Sequence, residues 1–278
     1  MFAGCATGCY DGQVYFLSVE TGQTHWVFAT GDSVKSSPAV DIVTGLILVG
    51  SHDGHIYALN PKARCCGWSR HCGGGAIFSS PCLHPSLRQL YVATLRGELL
   101  CLRPESGALL WTYSSAAPFF STPCCSSTSL CIGSVDRNIY CFSHTGNLLW
   151  QFPTDGPVFS SPCCMPTSLA NQRVFCGSHD GSVYCLRSCD GALVWRFRAG
   201  GKVFSSPFLF HSLASEDEGL VAVATSDGNL WVLGAEDGEP KASLSLPGEI
   251  FSSPVLWGRT LVVGCRNDFV YGIELTPC

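Results

Sequence analysis

Apolar positions in this chain come in short runs that recur along its length. Seven runs stand out: 14–17 (VYFL), 56–59 (IYAL), 99–102 (LLCL), 139–142 (IYCF), 183–186 (VYCL), 230–233 (LWVL) and 270–273 (VYGI). Nearly every position in them is apolar, whereas a strand with one wet face would alternate apolar with polar. These strands are therefore covered on both faces. No stretch has a helical period, so other sheets must supply the cover. Another strand pattern precedes each run from the second onward: 46–51 (LILVGS), 90–94 (LYVAT), 130–134 (LCIGS), 174–178 (VFCGS), 221–225 (VAVAT) and 261–265 (LVVGC). A tight turn joins the two strands, best formed at His52-Asp53-Gly54, His179-Asp180-Gly181 and Ser226-Asp227-Gly228. Asp-Gly between apolar runs is a strong hairpin signal, because both residues accept positive φ. Tyr10-Asp11-Gly12 repeats the turn after a poorer opening strand over 2–9. Val135-Asp136-Arg137-Asn138 and Arg266-Asn267-Asp268 are weaker versions, and Leu95-Arg96-Gly97 keeps only the glycine.

Ahead of these hairpins stands the most regular motif in the chain. Val34-Lys35-Ser36-Ser37-Pro38, Ile77-Phe78-Ser79-Ser80-Pro81, Phe119-Phe120-Ser121-Thr122-Pro123, Val158-Phe159-Ser160-Ser161-Pro162, Val203-Phe204-Ser205-Ser206-Pro207 and Ile250-Phe251-Ser252-Ser253-Pro254 are six copies of it. Their prolines are 43, 42, 39, 45 and 47 residues apart, a period that signals stacked or radial repeats. After the hairpin comes a turn and a tryptophan, four residues past a glycine, at Gly22…Trp26, Gly107…Trp111, Gly146…Trp150 and Gly191…Trp195. Trp68 holds the slot after an irregular loop over 60–67, and Ala242 holds it after Asp237-Gly238. The register survives where the motif decays, so the slot is geometric and a large flat ring usually fills it.

Four antiparallel strands per repeat, covered on both faces and without helices, make a β-propeller. The expected repeats are 1–30, 31–72, 73–115, 116–154, 155–199, 200–245 and 246–278, in a single domain over 1–278. Proline cannot donate to a ladder, so the Ser-Ser-Pro strand is an edge strand. It is expected to line the central channel, which makes Ser36, Ser37, Ser79, Ser80, Ser121, Thr122, Ser160, Ser161, Ser205, Ser206, Ser252 and Ser253 candidate channel residues able to hold water. Gly50, Ala93, Gly133, Gly177, Ala224 and Gly264 are expected to leave room for a tryptophan of the adjacent blade. Trp26, Trp68, Trp111, Trp150 and Trp195 are the candidate blade-docking residues. The pattern holds six first, seven second, seven third and six fourth strands. That count leads to an expectation of an incomplete ring taken from a larger propeller of about eight blades, with self-association through unpaired edge strands.

Composition narrows the class of function. The 278 residues are 46% apolar and 13% charged, with a net charge of −5. No basic field exists to attract nucleic acid or an anionic membrane. No run of apolar residues is long enough for a spanning helix. Most of the 18 cysteines lie inside strand patterns, where a thiol acts as a small hydrophobe. They point to a reducing compartment and a cytoplasmic protein. No cysteine–histidine set has zinc-finger spacing.

The run GS-x-DG-x-(V/I)-Y-x-L followed by TG-x-x-x-W resembles the PQQ-type, or quinoprotein, propeller repeat over essentially the whole chain. More narrowly, FSSP, IGS-x-D, LLW-x-F and P-x-FSSPC are similar to the C-terminal propeller of the beta-alanine-activating enzyme family, adenylate-forming relatives of the acyl-CoA synthetases. That resemblance implies a parent that activates a carboxylic acid with ATP on upstream adenylation and carrier domains. ATP and phosphopantetheine would belong to those domains, which this chain does not contain. The quinoprotein resemblance raises a PQQ-dependent enzyme, some of which use a ring disulfide between adjacent cysteines. Cys65-Cys66, Cys124-Cys125 and Cys163-Cys164 are adjacent pairs. Such enzymes also need a carboxylate–asparagine calcium site, and the motifs here do not assemble one. PQQ is therefore not expected, and no catalytic, cofactor or metal residues are assigned.

The remaining chemistry-bearing residues have structural explanations. His52 and His179 sit in equivalent turns, so each reads as a turn residue before a metal ligand. Asp53, Asp180 and Asp227 repeat at hairpins, which marks turn chemistry. Ser215-Glu216-Asp217-Glu218 reads as an exposed acidic loop. The sequence thus points to a non-catalytic propeller that docks its own upstream domains or other proteins. A PQQ-dependent dehydrogenase-type or metabolite-binding propeller is the alternative.

Overall fold

The computed structural model describes residues 4–84, 86–165, 172–212 and 218–275. All regular structure among them is β-strand, arranged in seven antiparallel sheets, with no helix. The fold is the all-β, seven-bladed propeller that the repeat predicts. The chain divides into two compact units, Met1–Cys125 and Ser126–Cys278. The first unit carries the sheets over 4–29, 39–71 and 82–114, and the short strand Cys124–Cys125. The second carries the strands over 129–153 and the sheets over 163–198, 208–245 and 255–274. Of the seven sheets five have four strands, while the first and the last have three among the described residues. Ser215, Glu216 and Asp217 of the acidic insertion lie outside the described residues.

Every sheet is a meander in which chain neighbours are sheet neighbours. In the fifth, Cys163–Cys164 pairs with Arg173–Gly177, which pairs with Ser182–Arg187, which pairs with Leu193–Arg198. The first strands are short, and each begins just after its proline: Ala39–Val40, Cys82–His84, Cys124–Cys125, Cys163–Cys164, Phe208–His211 and Val255–Trp257. The Ser-Ser-Pro triplet thus leads into the edge strand and does not lie within it. The second and third strands of the inner sheets carry most of the burial, as apolar patterns on both faces require: Ser129–Gly133 is buried at all five positions and Ser182–Arg187 at five of six. The opening strand Gly4–Gly8 forms despite its poor sequence, because all five of its residues pair with 14–18. Cys65–Gly67, read from sequence as loop, belong to the strand Cys65–His71. Arg137 and Asp268 take positive φ, 71° and 69°, in turns that elsewhere use glycine.

The fixed tryptophan slot has a local cause. In the six sheets that carry the slot strand, the three-stranded first sheet included, a bulge interrupts the pairing of that strand with the one before it at the same place. The slot residue sits opposite the last third-strand residue before that bulge. The pairs are Trp26↔Phe16, Trp68↔Ala58, Trp111↔Cys101, Trp150↔Cys141, Trp195↔Cys185 and Val232↔Ala242. A bulge bends its strand and re-aims the side chain beside it. Here it directs the indole toward the next sheet.

The core lies in slabs between successive sheets. One slab joins Val14, Phe16 and Val34 to Ile47, Val49 and Leu59, and another joins Leu48, Ile56 and Ala58 to Leu90, Val92 and Leu100. In the second unit three further slabs run from Cys131 to Leu186, Phe175 to Leu233 and Ala222 to Val263. Each fully buried aliphatic or aromatic side chain contributes about 1.5–3 kcal/mol.

The small residues before the hairpin turns do not make room for tryptophan, and that expectation is corrected. A Cβ on Gly50 would lie 2.3 Å from Ile77 Cγ2, one on Gly133 2.3 Å from Val158 Cγ1, and one on Gly177 2.2 Å from Val203 Cγ1. Ile77, Val158 and Val203, each two places before its Ser-Ser pair, fill that space. The indoles instead lie on the turn glycines of the following blade. A Cβ on Gly107 would meet Trp68, one on Gly191 would meet Trp150 and one on Gly238 would meet Trp195, each at 2.6 Å. Gly191 is constrained twice, because its φ of 72° also disfavours any side chain.

Candidate functional site

The Ser-Ser-Pro segments are held by their own hydroxyls. Proline has no N–H, so the ladder between first and second strands stops early. The first serine extends it. Ser205 Oγ accepts from Ala224 N at 2.9 Å and donates to Ala224 O at 2.7 Å. Ser36 does the same with Gly50 (2.9 and 2.8 Å) and Ser252 with Gly264 (2.9 and 2.8 Å). Ser79 donates to Ala93 O at 2.9 Å, and Ser160 accepts from Gly177 N at 3.1 Å. Ser36, Ser79, Ser121, Ser160 and Ser205 are buried, so these hydroxyls serve backbone groups where the sequence reading gave them to water. The second residue of each pair links neighbouring blades. Ser37 N donates to Ser80 Oγ at 2.9 Å, and Ser80 N to Thr122 Oγ1 at 3.0 Å. In the second unit Ser161 N donates to Ser206 Oγ at 3.1 Å, and Ser206 N to Ser253 Oγ at 2.8 Å. Ser205→Ala should lower stability by about 1–3 kcal/mol, the range for stranding buried polar groups. Ser253→Ala, at an exposed position, should cost less, and urea denaturation of the two variants checks the order.

In five of the six copies the residue just before the pair is phenylalanine, and these rings cluster along each unit's aromatic rim. In the second unit Phe159, Phe204 and Phe251 run in sequence, with ring centroids 5.9 and 4.7 Å apart. His179 fits between the first two, stacked 4.3 Å from Phe159 and edge-on 4.0 Å from Phe204. The Arg266 guanidinium lies 5.2 Å from the Phe251 ring centre. The first unit repeats the theme: Phe78 meets Phe120 at 5.4 Å and His52 at 6.1 Å, and the Lys35 ammonium lies 4.8 Å from the Tyr10 ring. Phe78 and Phe251 are 38% and 37% exposed, unusual for phenylalanine in so regular a pattern. The Nε2 atoms of His52 and His179 are buried and have no hydrogen-bond partner among the described residues.

Burial, and then the nearby Lys202 ammonium, push the His179 imidazole down to about 4 from its ordinary 6.5. The folded state therefore keeps a neutral ring that the unfolded chain protonates below pH 6.5. The contribution is complete above that pH and is lost as pH falls toward 4. At pH 5 wild type should be less stable than at pH 7.5 by about 1–2 kcal/mol from this group, after allowance for its partial exposure. His179→Phe should remove that share of the pH dependence in denaturation midpoints. An unchanged pH profile in the variant would show that the ring is not held neutral.

The hairpin carboxylates are occupied by their turns. Asp11, Asp53, Asp136 and Asp180 each accept the amide two residues on, at 2.8–3.0 Å. They also accept the tyrosine hydroxyl four residues on, at 2.6, 2.7, 2.5 and 2.5 Å. Asp53 Oδ2 also accepts Gly31 N of the preceding loop at 2.7 Å, and Asp180 Oδ2 accepts Asp155 N at 3.0 Å. Burial and the carboxylate together push Tyr57 and Tyr184 above the ordinary tyrosine range. Arg196 bridges Asp155 at 2.9 Å and Asp180 at 3.5 Å at the edge of a 380 Å³ cleft that Arg198 also lines. Among the described residues no three His, Cys, Asp or Glu side chains stand close enough to hold a metal ion.

A family model described as "Beta-alanine-activating enzyme, beta-propeller" matches residues 3–275. The chain belongs to this family. It is similar to the beta-alanine-activating enzyme of Danio rerio, 57% identical over 235 residues, which cover 78% of this chain and 20% of that protein. The Mus musculus enzyme is 48% identical over 54% of the chain and 13% of its own length, and the Drosophila melanogaster enzyme is 30% identical over 95% and 28%. The chain thus spans between about one eighth and somewhat over one quarter of these relatives. Two solved structures share the fold at 14% identity. A computationally designed protein, Ika8, has a TM-score of 0.81 over 97% of this chain and 80% of its own. BamB from Moraxella catarrhalis has a TM-score of 0.62 over 99% and 95%. The family supports the expectation drawn from FSSP and LLW-x-F.

The blade-docking tryptophans occupy one register slot but differ in depth. Trp150 and Trp195 are buried, while Trp26, Trp68 and Trp111 are half-buried. Trp68, Trp150 and Trp195 donate Nε1–H to Pro104 O, Ser188 O and Ala235 O at 3.0, 2.8 and 3.0 Å, each on the next blade. The adjacent pairs Cys65-Cys66, Cys124-Cys125 and Cys163-Cys164 stand as thiols. No helix among the described residues is long and apolar enough to cross a membrane. The phenylalanines of the FSSP copies carry no role that the repeat alone discloses. The available signal was an aromatic column beside small polar residues at a strand entrance.

Proposed function

We propose that the chain is a non-catalytic docking scaffold of a beta-alanine-activating enzyme. On this reading the Phe159–Phe204–Phe251 patch, with Arg266 beside it, holds the acid-activating portion of the same polypeptide. The observation that carries the reading is a division of labour. Serine hydroxyls and hairpin carboxylates are committed to backbone and tyrosine partners, while the partly exposed aromatic rim is left for an external surface. The relatives place most of their length outside the region matched here. A tethered partner acts at an effective concentration near millimolar, so a small aromatic patch suffices to hold it. Partly exposed phenylalanines beside an arginine also belong to the residue types enriched at protein interfaces.

The test uses the full-length enzyme of a close relative carrying Phe204→Ala and Phe251→Ala at the matching positions. Chemical cross-links between the propeller and the upstream domains should be lost. The melting temperature of the isolated propeller should move by only a few degrees. Cross-links of unchanged pattern and yield in the double variant would remove this patch from the docking role.

A further inference from the structure

We propose that Cys82 and Cys125 are a cross-blade modification site, a thiol pair that a peroxide oxidises to a disulfide. The inference does not depend on the docking role. The two residues lie on the first strands of successive blades, Cys82–His84 and Cys124–Cys125, 43 positions apart in sequence. Both fall within the Met1–Cys125 unit. Their sulfurs are 3.4 Å apart. Cys125 Sγ is also 3.5 Å from Leu83 O, which holds the thiol over the neighbouring strand. Behind Cys82, its cross-strand partner Tyr91 is fully buried, so the pair is backed by a rigid wall. A disulfide needs the sulfurs to close to about 2.05 Å, a movement of roughly 1.3 Å that side-chain rotation can supply.

Other thiols of the chain are placed against such chemistry. Cys72, Cys101, Cys176 and Cys185 are buried, and burial pushes them up to about 11, 12, 12 and 12. Cys131 is raised well above the ordinary thiol value by hydrogen bonds with Cys141 and Cys164 and by burial. The thiolate is the nucleophile, so these remain inert. Cys82 and Cys125 are only half-buried and within reach of a small oxidant.

The oxidation balances with hydrogen peroxide as the oxidant. One thiolate attacks a peroxide oxygen, breaking the O–O bond and forming a sulfenic acid and one water after protonation. The second thiol, as it gives up its proton, attacks that sulfur and displaces the hydroxyl as a second water. Two thiols lose two electrons and two protons, and the peroxide is reduced to two waters.

The experiment treats the folded chain with hydrogen peroxide, blocks remaining thiols with an alkylating agent, and maps peptides without reductant. One cross-link is expected, Cys82 to Cys125, with the thiol count falling by two. Cys82→Ser and Cys125→Ser should each abolish the link, and Cys124→Ser should leave it. The wild-type map stands alone even if a serine variant fails to fold. A link mapping to Cys124–Cys125, or Cys82 and Cys125 both recovered alkylated, overturns the proposal.

Discussion

Trp150→Ala should destabilise the chain by about 3–5 kcal/mol, the cost of removing a packed indole and leaving a cavity. Trp150 is 8% exposed and packs with Cys131, Ile139 and Cys141 of its own sheet and with Val174 and Leu186 of the next. Its Nε1–H donates to Ser188 O at 2.8 Å, and its bicyclic face rests on Gly191, where a Cβ would come within 2.6 Å. Truncation therefore strands a buried carbonyl as well as emptying the slot. Trp150→Phe should fall between, because it keeps a ring but loses the hydrogen bond, worth about 1–2 kcal/mol. Trp68→Ala should cost less than Trp150→Ala, since Trp68 is only half-buried. Ala242 in the sixth copy of the slot lies on the strand Pro240–Ser245, exposed at every position, so alanine stands there where no indole is packed. Denaturant midpoints of the three variants give the order. A loss below about 1 kcal/mol for Trp150→Ala would falsify the interlock.

The repeat was legible because its signals are local. Asp-Gly turns, the Ser-Ser-Pro entry and the fixed step from turn glycine to tryptophan each act within one blade. Even the decayed copies kept register: Arg137 holds a glycine position at positive φ, and Ala242 holds the indole slot. What joins one blade to the next was not legible. Gly177 looked like space for an indole, yet it receives Val203, while the indole of Trp150 goes to Gly191. Both pairings connect positions in successive repeats, and a single sequence fixes the spacing within a repeat without saying which residues face across the gap. The aromatic rim was half-legible, since the Phe column was visible but its partial exposure was not. Cys82 and Cys125 fall in offset positions of their copies, so the period gave no reason to pair them.

The Asp41–Arg88 clamp was missed for a related reason: it occurs once, outside the repeat. Asp41 follows the first strand of the second blade, and Arg88 lies in the loop between the first two strands of the third. The contact is bidentate, with Nη1 to Oδ1 at 2.7 Å and Nη2 to Oδ2 at 2.8 Å. Thr44 Oγ1 donates to Oδ2 at 2.5 Å, Val43 N donates to Oδ1 at 3.2 Å, and Glu105 takes the Arg88 Nε at 2.6 Å. Asp41 is 2% exposed, so its charge is carried by these partners and little by water. Two charged partners in one clamp make Arg and Lys unequal here, because only the planar fork satisfies both oxygens.

Arg88→Ala should cost about 3–5 kcal/mol at pH 7, the range for removing one partner of a buried ion pair. Its pH dependence gives the sharper signature. In the folded wild type the guanidinium, then the Thr44 and Val43 hydrogen bonds, hold the Asp41 carboxyl well below its ordinary 3.8. Its contribution is complete above about pH 4 and is lost as pH falls further, because the unfolded chain takes up the proton first. In Arg88→Ala the sign reverses. The buried carboxylate has lost its countercharge, so burial raises its folded value, and protonation at low pH relieves the penalty. The stability gap between variant and wild type should therefore be widest near pH 7 and should narrow steadily toward pH 3. Arg88→Lys should recover only part of the loss. A gap that stays constant from pH 7 to pH 3 would mean that Asp41 and Arg88 are held apart by water in solution and that the clamp contributes only its packing.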